Sequence, residues 1–348
     1  MLISPAFRVV AGLPHVGAKF LTDWRLTMTW SWLALFSIAA ISWAQAPQPD
    51  GAGLEPGVLP DRWPTASPRC MEMEEYYVHE YNPNFYMLRQ SPCTDYEKPF
   101  IYVIFGTEKA LLWDTGSRNA RTREAVDRLI ERWLKVNNRT SIPLIVVHSH
   151  HHSDHVAGDA QFENRPDTTF VKPDVESIKA FFGFHNWPEE IRTYDLGNRV
   201  MDIVPIPGHT DDSFALYDHR TGVLLTGDTV YPGRLYVTDF ADFKKSIHRL
   251  AAFTDGKLVA HVLGNHIEQT RTPYLEYPIG KLLQPDEHEL AMDVGTILEL
   301  DRALSHMNGP ARVALRDLTI YPLDPEVLKQ MRATQHKSKE ADRKIVYP

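Results

Sequence analysis

Short apolar runs separated by turn residues mark the first part of the chain as strand-forming. They lie at residues 85–88, 100–105 and 110–113, and strand-like alternation starts near Tyr76. The period then changes. Val126, Leu129, Ile130, Trp133 and Leu134 recur at i, i+3, i+4 spacing and predict a helix over 120–136. Strand and helix signals alternate beyond it, with strands at 142–147, 168–171, 202–206, 214–217, 223–225 and 258–263. Phe243, Ile247, Leu250 and Phe253 share one face of a helix near 243–253, and a second helix runs over 287–307, stopped by Asn308-Gly309-Pro310. A strand is expected within 312–321, while 268–285 shows no clear period. Many short strands interleaved with amphipathic helices predict an α+β domain of packed sheets covered by helices. The domain is placed at 71–323, after a Pro- and Gly-rich arm at 47–70 and before a charged tail at 324–348.

The N-terminus follows a different pattern. Residues 26–44 carry no charge, Arg8, Lys19 and Arg25 precede them, and Ala44-Gln45-Ala46 follows. A basic lead, an apolar run and a small-x-small site predict a signal peptide cleaved after Ala46. The uncharged run approaches the ~20 residues a spanning helix needs, so an uncleaved anchor is the alternative. Cleavage predicts an exported protein, periplasmic or secreted, without a membrane partner. Residues 1–46 hold three basic residues and one acid, so the formal charge of −8 becomes −10 after cleavage. In an oxidising compartment Cys70 and Cys93 are candidates for a disulfide, with two buried thiols as the alternative.

Composition narrows the class. The 348 residues are 43% hydrophobic and 24% charged, which excludes a wholly disordered chain and a multi-span membrane protein. The acidic balance argues against nucleic acid, which wants a basic face. Two cysteines exclude a zinc ribbon or a disulfide-knot scaffold. Sixteen histidines are the unusual count, because five of them fall within eight residues.

That stretch is Val147-His148-Ser149-His150-His151-His152-Ser153-Asp154-His155-Val156, at the end of an expected buried strand. Imidazole and carboxylate are ligands for zinc and similar divalent ions. His150 and His152, two apart in an extended turn, point the same way and can hold one ion. Asp154 and His155 lie further round the turn and can hold a second. Three later strand ends bring His209, Asp228 and His266, and Asp114 ends an earlier strand. Each is weak alone. Together they place Asp and His at matching strand ends, where loops on a rigid scaffold carry function. His148 and His151 are left over.

In these residues the chain resembles the metallo-β-lactamase superfamily. His150-x-His152-x-Asp154-His155 matches its HxHxDH signature, and His209, Asp228, His266 and the Asp114-Thr115-Gly116 element fit its later and earlier signatures in order. The Leu-Leu-Thr-Gly-Asp-Thr run at 224–229 looks most like glyoxalase II and related thioester or lactone hydrolases. The resemblance spans roughly residues 100–266. It implies a four-layer αββα sandwich and two divalent metal ions, zinc first, with iron or manganese as alternatives. It implies His150, His152 and His209 on one ion, Asp154, His155 and His266 on the other, and Asp228 bridging. Asp114 is then a partner of a ligand imidazole, or a simple turn cap. The implied reaction is attack of a metal-bound hydroxide on an ester, thioester, lactone or β-lactam carbonyl of a small molecule, with Asp154 orienting the nucleophile. Tyr231 and Tyr236 are candidates for a tyrosine near the metals, with strand packing as the plain reading. Two other readings stay open: a mononuclear iron persulfide dioxygenase of the same superfamily, and a non-catalytic metal-binding domain. Oligomeric state and the bond cleaved are not readable from the sequence.

Overall fold

The structure, a computed structural model, describes residues 53–55, 57–65, 73–118 and 120–346. The expected signal segment, its cleavage point and Cys70 lie outside the described residues. In chain order the elements are β1 (Tyr76–Asn82), β2 (Phe85–Gln90), β3 (Phe100–Phe105), β4 (Ala110–Trp113), α1 (Thr122–Val136), β5 (Leu144–Val147), α2 (Ser153–Val156), β6 (Thr168–Phe170), α3 (Val175–Phe182), β7 (Arg192–Asp195), β8 (Val200–Pro205), β9 (Phe214–Asp218), β10 (Val223–Gly227), β11 (Arg234–Val237), α4 (Phe240–Thr254), β12 (His261–Gly264), β13 (Ala291–Met292), α5 (Val294–Ser305), β14 (Val313–Ala314), β15 (Thr319–Pro322) and α6 (Pro325–Val346).

Two six-stranded sheets form the centre, ordered β1-β2-β3-β4-β5-β6 and β13-β12-β10-β9-β8-β7. Side-chain alternation along the strands sets the layers. Tyr102, Leu111, Trp113, Ile145 and Val147 point inward and meet Ile203, Phe214, Leu216, Leu225 and Leu263 of the second sheet. Their neighbours Ile101, Val103, Leu112 and Val146 point outward onto Val126, Leu129, Ile130 and Trp133 of α1. On the far side Val204, Ala215, Leu224 and Val262 pack on Phe243, Ile247 and Leu250 of α4 and Ile297, Leu300 and Leu304 of α5. Helix, sheet, sheet and helix therefore stack as the four layers of an αββα sandwich. A third sheet, β11-β15-β14, extends the α4/α5 side.

The order of parallel pairs matters for function. β4 pairs parallel with β5, and β10 pairs parallel with β12. β8 and β10 both run antiparallel to β9, so they share one direction. In each sheet the C-terminal ends of these strands gather at one edge, and there the loops with Asp114, His150 and His152, His209, Asp228 and His266 begin.

Several boundaries differ from the periodicity. The helix expected over 287–307 begins at Val294, because the Asp293 carboxylate caps it by accepting from Thr296 N and Ala291–Met292 joins the edge of β12. Glu287 is already committed elsewhere, to a buried ion pair with Arg89. The strand expected within 312–321 is two short antiparallel strands, β14 and β15. The strand expected from 258 starts at His261, after a turn in which Gly256 has φ 74°. α3, β7 and β11 were not foreseen; β7 alternates half-buried and exposed positions with no apolar run. Trp63 of the N-terminal arm packs edge-on against Phe100, with ring centroids 4.7 Å apart. Cys93 is disulfide-bonded, and Cys70 is the chain's other cysteine.

One buried ion pair joins the sheets at the edge away from the metal-type loops. Arg199 Nη2 lies 2.6 Å from Asp218 Oδ2, both side chains 0% exposed, and Arg199 Nη1 donates to the carbonyls of Asn84 (2.7 Å) and Phe105 (2.9 Å). Arg199→Met should cost about 3–5 kcal/mol, because the Asp218 carboxylate is left buried without its ion partner. Urea unfolding of the variant reads this directly; a change below 1 kcal/mol, the range of an exposed pair, would contradict it.

Candidate metal centre

The His-rich loop leaves β5 at Val147 and turns sharply. His152 is extended (φ −66°, ψ 150°) and starts the one-turn helix α2, which carries Asp154 and His155. The loop is fastened from below. Thr115 N donates to the His155 carbonyl at 2.8 Å, and Ala157 N donates to the Gly116 carbonyl at 3.1 Å. Gly158 allows this approach: a Cβ there would stand 2.4 Å from the Thr115 carbonyl oxygen. His209 follows Gly208, whose φ of 136° and whose contact with the Phe243 backbone exclude a side chain. Asp228 and His266 follow the ends of β10 and β12, with Asn265 N donating to the Gly227 carbonyl at 3.1 Å.

These strand ends bring all seven sequence-derived residues into two adjoining clusters. His150, His152 and His209 form one, and Asp154, His155, Asp228 and His266 form the other, with ligand-type atoms within 4.8 Å of one another in each. In the first, Nε2 of His150, Nδ1 of His152 and Nε2 of His209 stand 2.9–3.1 Å apart. In the second, Asp154 Oδ2 lies 3.2 Å from Nε2 of both His155 and His266. Asp228 lies between the clusters. Its Oδ2 is 3.5 Å from His155, 3.8 Å from His209 and 3.9 Å from His150, and its Oδ1 is 3.5 Å from His266.

The outer ring nitrogens decide what the inner ones can do. His155 Nδ1 donates to Asp114 Oδ2 at 2.9 Å, and His209 Nδ1 donates to the Tyr236 carbonyl at 2.7 Å. His266 Nδ1 donates to the Glu97 carbonyl at 3.0 Å. His150 Nδ1 donates to Ser149 Oγ at 3.0 Å, and that hydroxyl donates to Asp114 Oδ2 at 2.8 Å. A neutral imidazole has one donor and one acceptor nitrogen, so these outer bonds leave the inward nitrogen of each of the four rings free to present a lone pair whenever the ring is neutral. In the trio the lone pairs of His150 and His209 face each other at 3.1 Å and cannot satisfy each other. They suit a cation: tetrahedral zinc with Zn–N near 2.0–2.1 Å spaces its nitrogens about 3.3 Å apart, a few tenths of an ångström wider than here. Asp228 Oδ1, buried and without a hydrogen-bond partner, fits the same reading.

The two clusters differ in charge. Burial and the neighbouring imidazoles push His150 well below the usual histidine range; burial lowers His209, and burial with His209 lowers His152 to about 4. In the other cluster burial also opposes charge, but the carboxylates outweigh it. Asp154, Asp228 and Asp114 hold His155 well above its usual range, and Asp228 and Asp154 lift His266 to about 9. Burial alone would raise Asp228, yet His266 and His155 hold it down to about 2. Without metal, one cluster is three neutral rings and the other is a set of His–Asp ion pairs.

The remaining sequence candidates fall outside the clusters. His148 is buried and bonds Asp159 Oδ1 at 2.8 Å. His151 turns away and bonds Asp212 Oδ1 at 2.8 Å. Tyr231 is 1% exposed, with its hydroxyl on the Arg234 carbonyl and on Glu268, so it packs the strand end. Tyr236 contributes its carbonyl to His209, and its hydroxyl faces Glu268 at 3.3 Å. Sequence reasoning missed Ser149, Asn265 and the Glu97 carbonyl as supports. Ser149 lay inside the motif and Asn265 beside His266; nothing in the sequence pointed to Glu97.

Comparison with known proteins agrees with this geometry. A family model described as the metallo-beta-lactamase superfamily matches residues 96–260. A hydroxyacylglutathione hydrolase of Pseudomonas fluorescens is 30% identical over 190 residues, 54% of this chain and 69% of that protein. One from Pseudomonas paraeruginosa is 33% identical over 147 residues, 41% of this chain and 55% of that protein. Among solved structures, a metallo-beta-lactamase from Pontibacter korlensis aligns at 16% identity with a TM-score of 0.44, covering 67% of this chain and 100% of that one. The chain belongs to the metallo-β-lactamase superfamily of metal-dependent hydrolases.

Proposed function

We propose that the chain is an exported dinuclear hydrolase, zinc-dependent, that opens an ester, thioester, lactone or lactam of a small molecule. His150, His152 and His209 would hold one ion, Asp154, His155 and His266 the other, and Asp228, lying between the clusters, could serve both. The observation that carries this reading is the convergence of five imidazoles and two carboxylates in two adjoining clusters, with four of the rings anchored from outside by Asp114, Ser149 and two backbone carbonyls. Bound there, two divalent ions supply Lewis acidity and a water of lowered pKa. The chain's own groups do the rest. Asp154, its side chain 18% exposed, is the carboxylate that can orient that water and hold its proton. Asp228 keeps the two sites adjacent, and the buried rings of the first cluster keep bulk water from its back. The export half of the proposal rests on the pattern over residues 1–46.

Among the described residues two cavities reach proposed ligands; the one at His266, with Lys98 and Arg234 in its wall, is only about 20 Å³, so the cavity beside the trio bears on the substrate. It has a volume of about 330 Å³, reaches His152 and His209, and is lined by Asp211, Asp239 and Asp242 with no Lys or Arg. The curated relatives are named for a glutathione thioester, whose carboxylates make it anionic. An acid-lined approach favours a neutral or cationic acyl substrate instead.

Elemental analysis of the purified chain tests the metal reading. Two zinc ions per chain, loss of turnover with a chelator, and loss of both metal and turnover in His150→Ala/His152→Ala are expected; one iron per chain with oxygen uptake on a persulfide would replace the reading. Substrate charge is tested on matched esters with cationic, neutral and anionic acyl groups. kcat/KM should fall in that order and the spread should narrow at high salt; a preference for the anionic ester would contradict the acid-lined cavity.

Proton release gives an independent check. Only neutral imidazole binds metal. Burial holds all three rings of the first cluster below the usual histidine range, His152 at about 4, so its affinity should vary little between pH 6 and 8. His155 and His266 are protonated at pH 7 in the metal-free protein, so filling the second cluster should release protons and its affinity should rise with pH up to about 9. Calorimetry in buffers of different ionisation enthalpy separates the two steps; equal proton release in both would contradict the assignment.

A further inference from the structure

His151 stands in the chain between two proposed ligands, yet its ring leaves the centre. Its Nδ1 donates to Asp212 Oδ1 at 2.8 Å. The same oxygen accepts from Thr210 Oγ1 at 2.6 Å, and Thr210 Oγ1 lies 2.7 Å from Ser213 Oγ. Asp212 is 1% exposed, while the side chain of His151 is 48% exposed. The contact therefore sits where the loop 207–213, which carries His209, meets the loop 148–155, which carries His150 and His152. A second link between the loops is longer, from Phe214 N to the Ser149 carbonyl at 3.3 Å. Burying a carboxylate is costly unless it is hydrogen-bonded. Here two side chains bond one oxygen and leave Oδ2 without a partner. No other feature of the centre as proposed uses this carboxylate.

We infer that His151 and Asp212 form a clamp that positions the His150, His152 and His209 trio. In an extended turn alternate side chains face opposite ways. Holding His151 outward on Asp212 thus holds His150 and His152 inward, in register with His209, which directly precedes Thr210 in the loop that Thr210 and Ser213 close. Asp212 also places a negative charge behind three ligands that bring none of their own. Neither residue belongs to the proposed ligand set; both act through the trio. The inference rests on the ligand assignment proposed above.

The test uses the full chain and cobalt(II) or zinc(II) alone as the probe. His266→Ala weakens the second cluster, so that affinity in this background reports the trio. In that background His151→Ala should weaken binding about 10–100-fold, the range seen when an outer partner of a ligand is removed. His151→Asn puts an amide N–H where Nδ1 stands and should restore affinity close to the parent. Asp212→Asn keeps an acceptor but removes the charge, and should lose affinity with the cobalt visible spectrum unchanged. Thermal unfolding of the metal-free variants, similar to the parent, separates positioning from damage to the fold. Unchanged affinity in His151→Ala would overturn the clamp, as would equal losses in the Ala and Asn variants. So would a third metal ion that disappears with His151 or Asp211, which would make that cluster a cation site in its own right. A wild-type chain that binds no metal at all would overturn the ligand assignment first and the clamp with it.

Discussion

The centre depends on one buried carboxylate that is not itself aimed at the metals. Asp114 is 0% exposed and sits at the end of β4 with φ 69°, a left-handed conformation that Asp tolerates better than most residues. It accepts from Ser149 N at 2.6 Å, Ser149 Oγ at 2.8 Å and His155 Nδ1 at 2.9 Å, and also from Asn265 Nδ2. Its partners come from the end of β5, from α2 and from the end of β12, so one side chain ties together both sheets at the functional edge. Strain of about 1–3 kcal/mol at such a position is offset by several charge-assisted hydrogen bonds. The same bonds orient the His155 ring directly and the His150 ring through Ser149. The fold thus brings the strand ends to one edge, and Asp114 turns rings at that edge toward the clusters.

The asymmetry between the clusters follows from where the carboxylates fall. The trio has no acid of its own and lies against the second sheet's interior, so burial keeps its rings neutral. The second cluster shares Asp154 and Asp228, with Asp114 behind it, so its rings hold protons until a metal displaces them. If the clusters hold metal as proposed, the trio takes it without losing protons and the second cluster only by releasing them. Asp228 belongs to both and couples them, since filling one cluster removes a partner from the other's ion pairs.

Most of this architecture was readable in the chain because burial and chemistry coincide there. Runs such as 100–105 and 110–113 match the observed strands at both ends, since they are buried on both faces and bounded by turn residues. The HxHxDH spacing is local, so its geometry could be reasoned from an extended turn. What sequence could not show was set by distant contacts. β7 has no apolar run to announce it, and the helix expected from 287 starts late because Glu287 is drawn to Arg89 some two hundred residues earlier. Ser149 and Asn265 are ordinary polar residues whose roles exist only once Asp114 is between them. The Glu97 contact runs through the backbone, which leaves no mark on residue type.

That backbone contact explains why the unpatterned segment after His266 belongs to the centre. The Glu97 carbonyl fixes His266, and Glu97 lies in the turn between β2 and β3. This turn has no regular structure of its own to hold it. It is held by a buried network: Arg89 donates to both Glu287 carboxylate oxygens at 2.5–2.6 Å, and Lys98 Nζ bonds Gln284 and lies 3.4 Å from Glu287. Burial lowers Lys98 to about 8, and Glu287 is the charge that opposes this. The segment 282–284 is pinned in turn by Asp342 of α6, which accepts from Leu282 N at 2.7 Å and is itself 0% exposed. The position of His266 therefore depends on a chain of contacts that runs from α6 through residues 282–284 and Lys98 to Glu97. Residues 268–346, which carry no ligand, set the geometry of the second cluster from behind, while the trio is set by the loops that bear it.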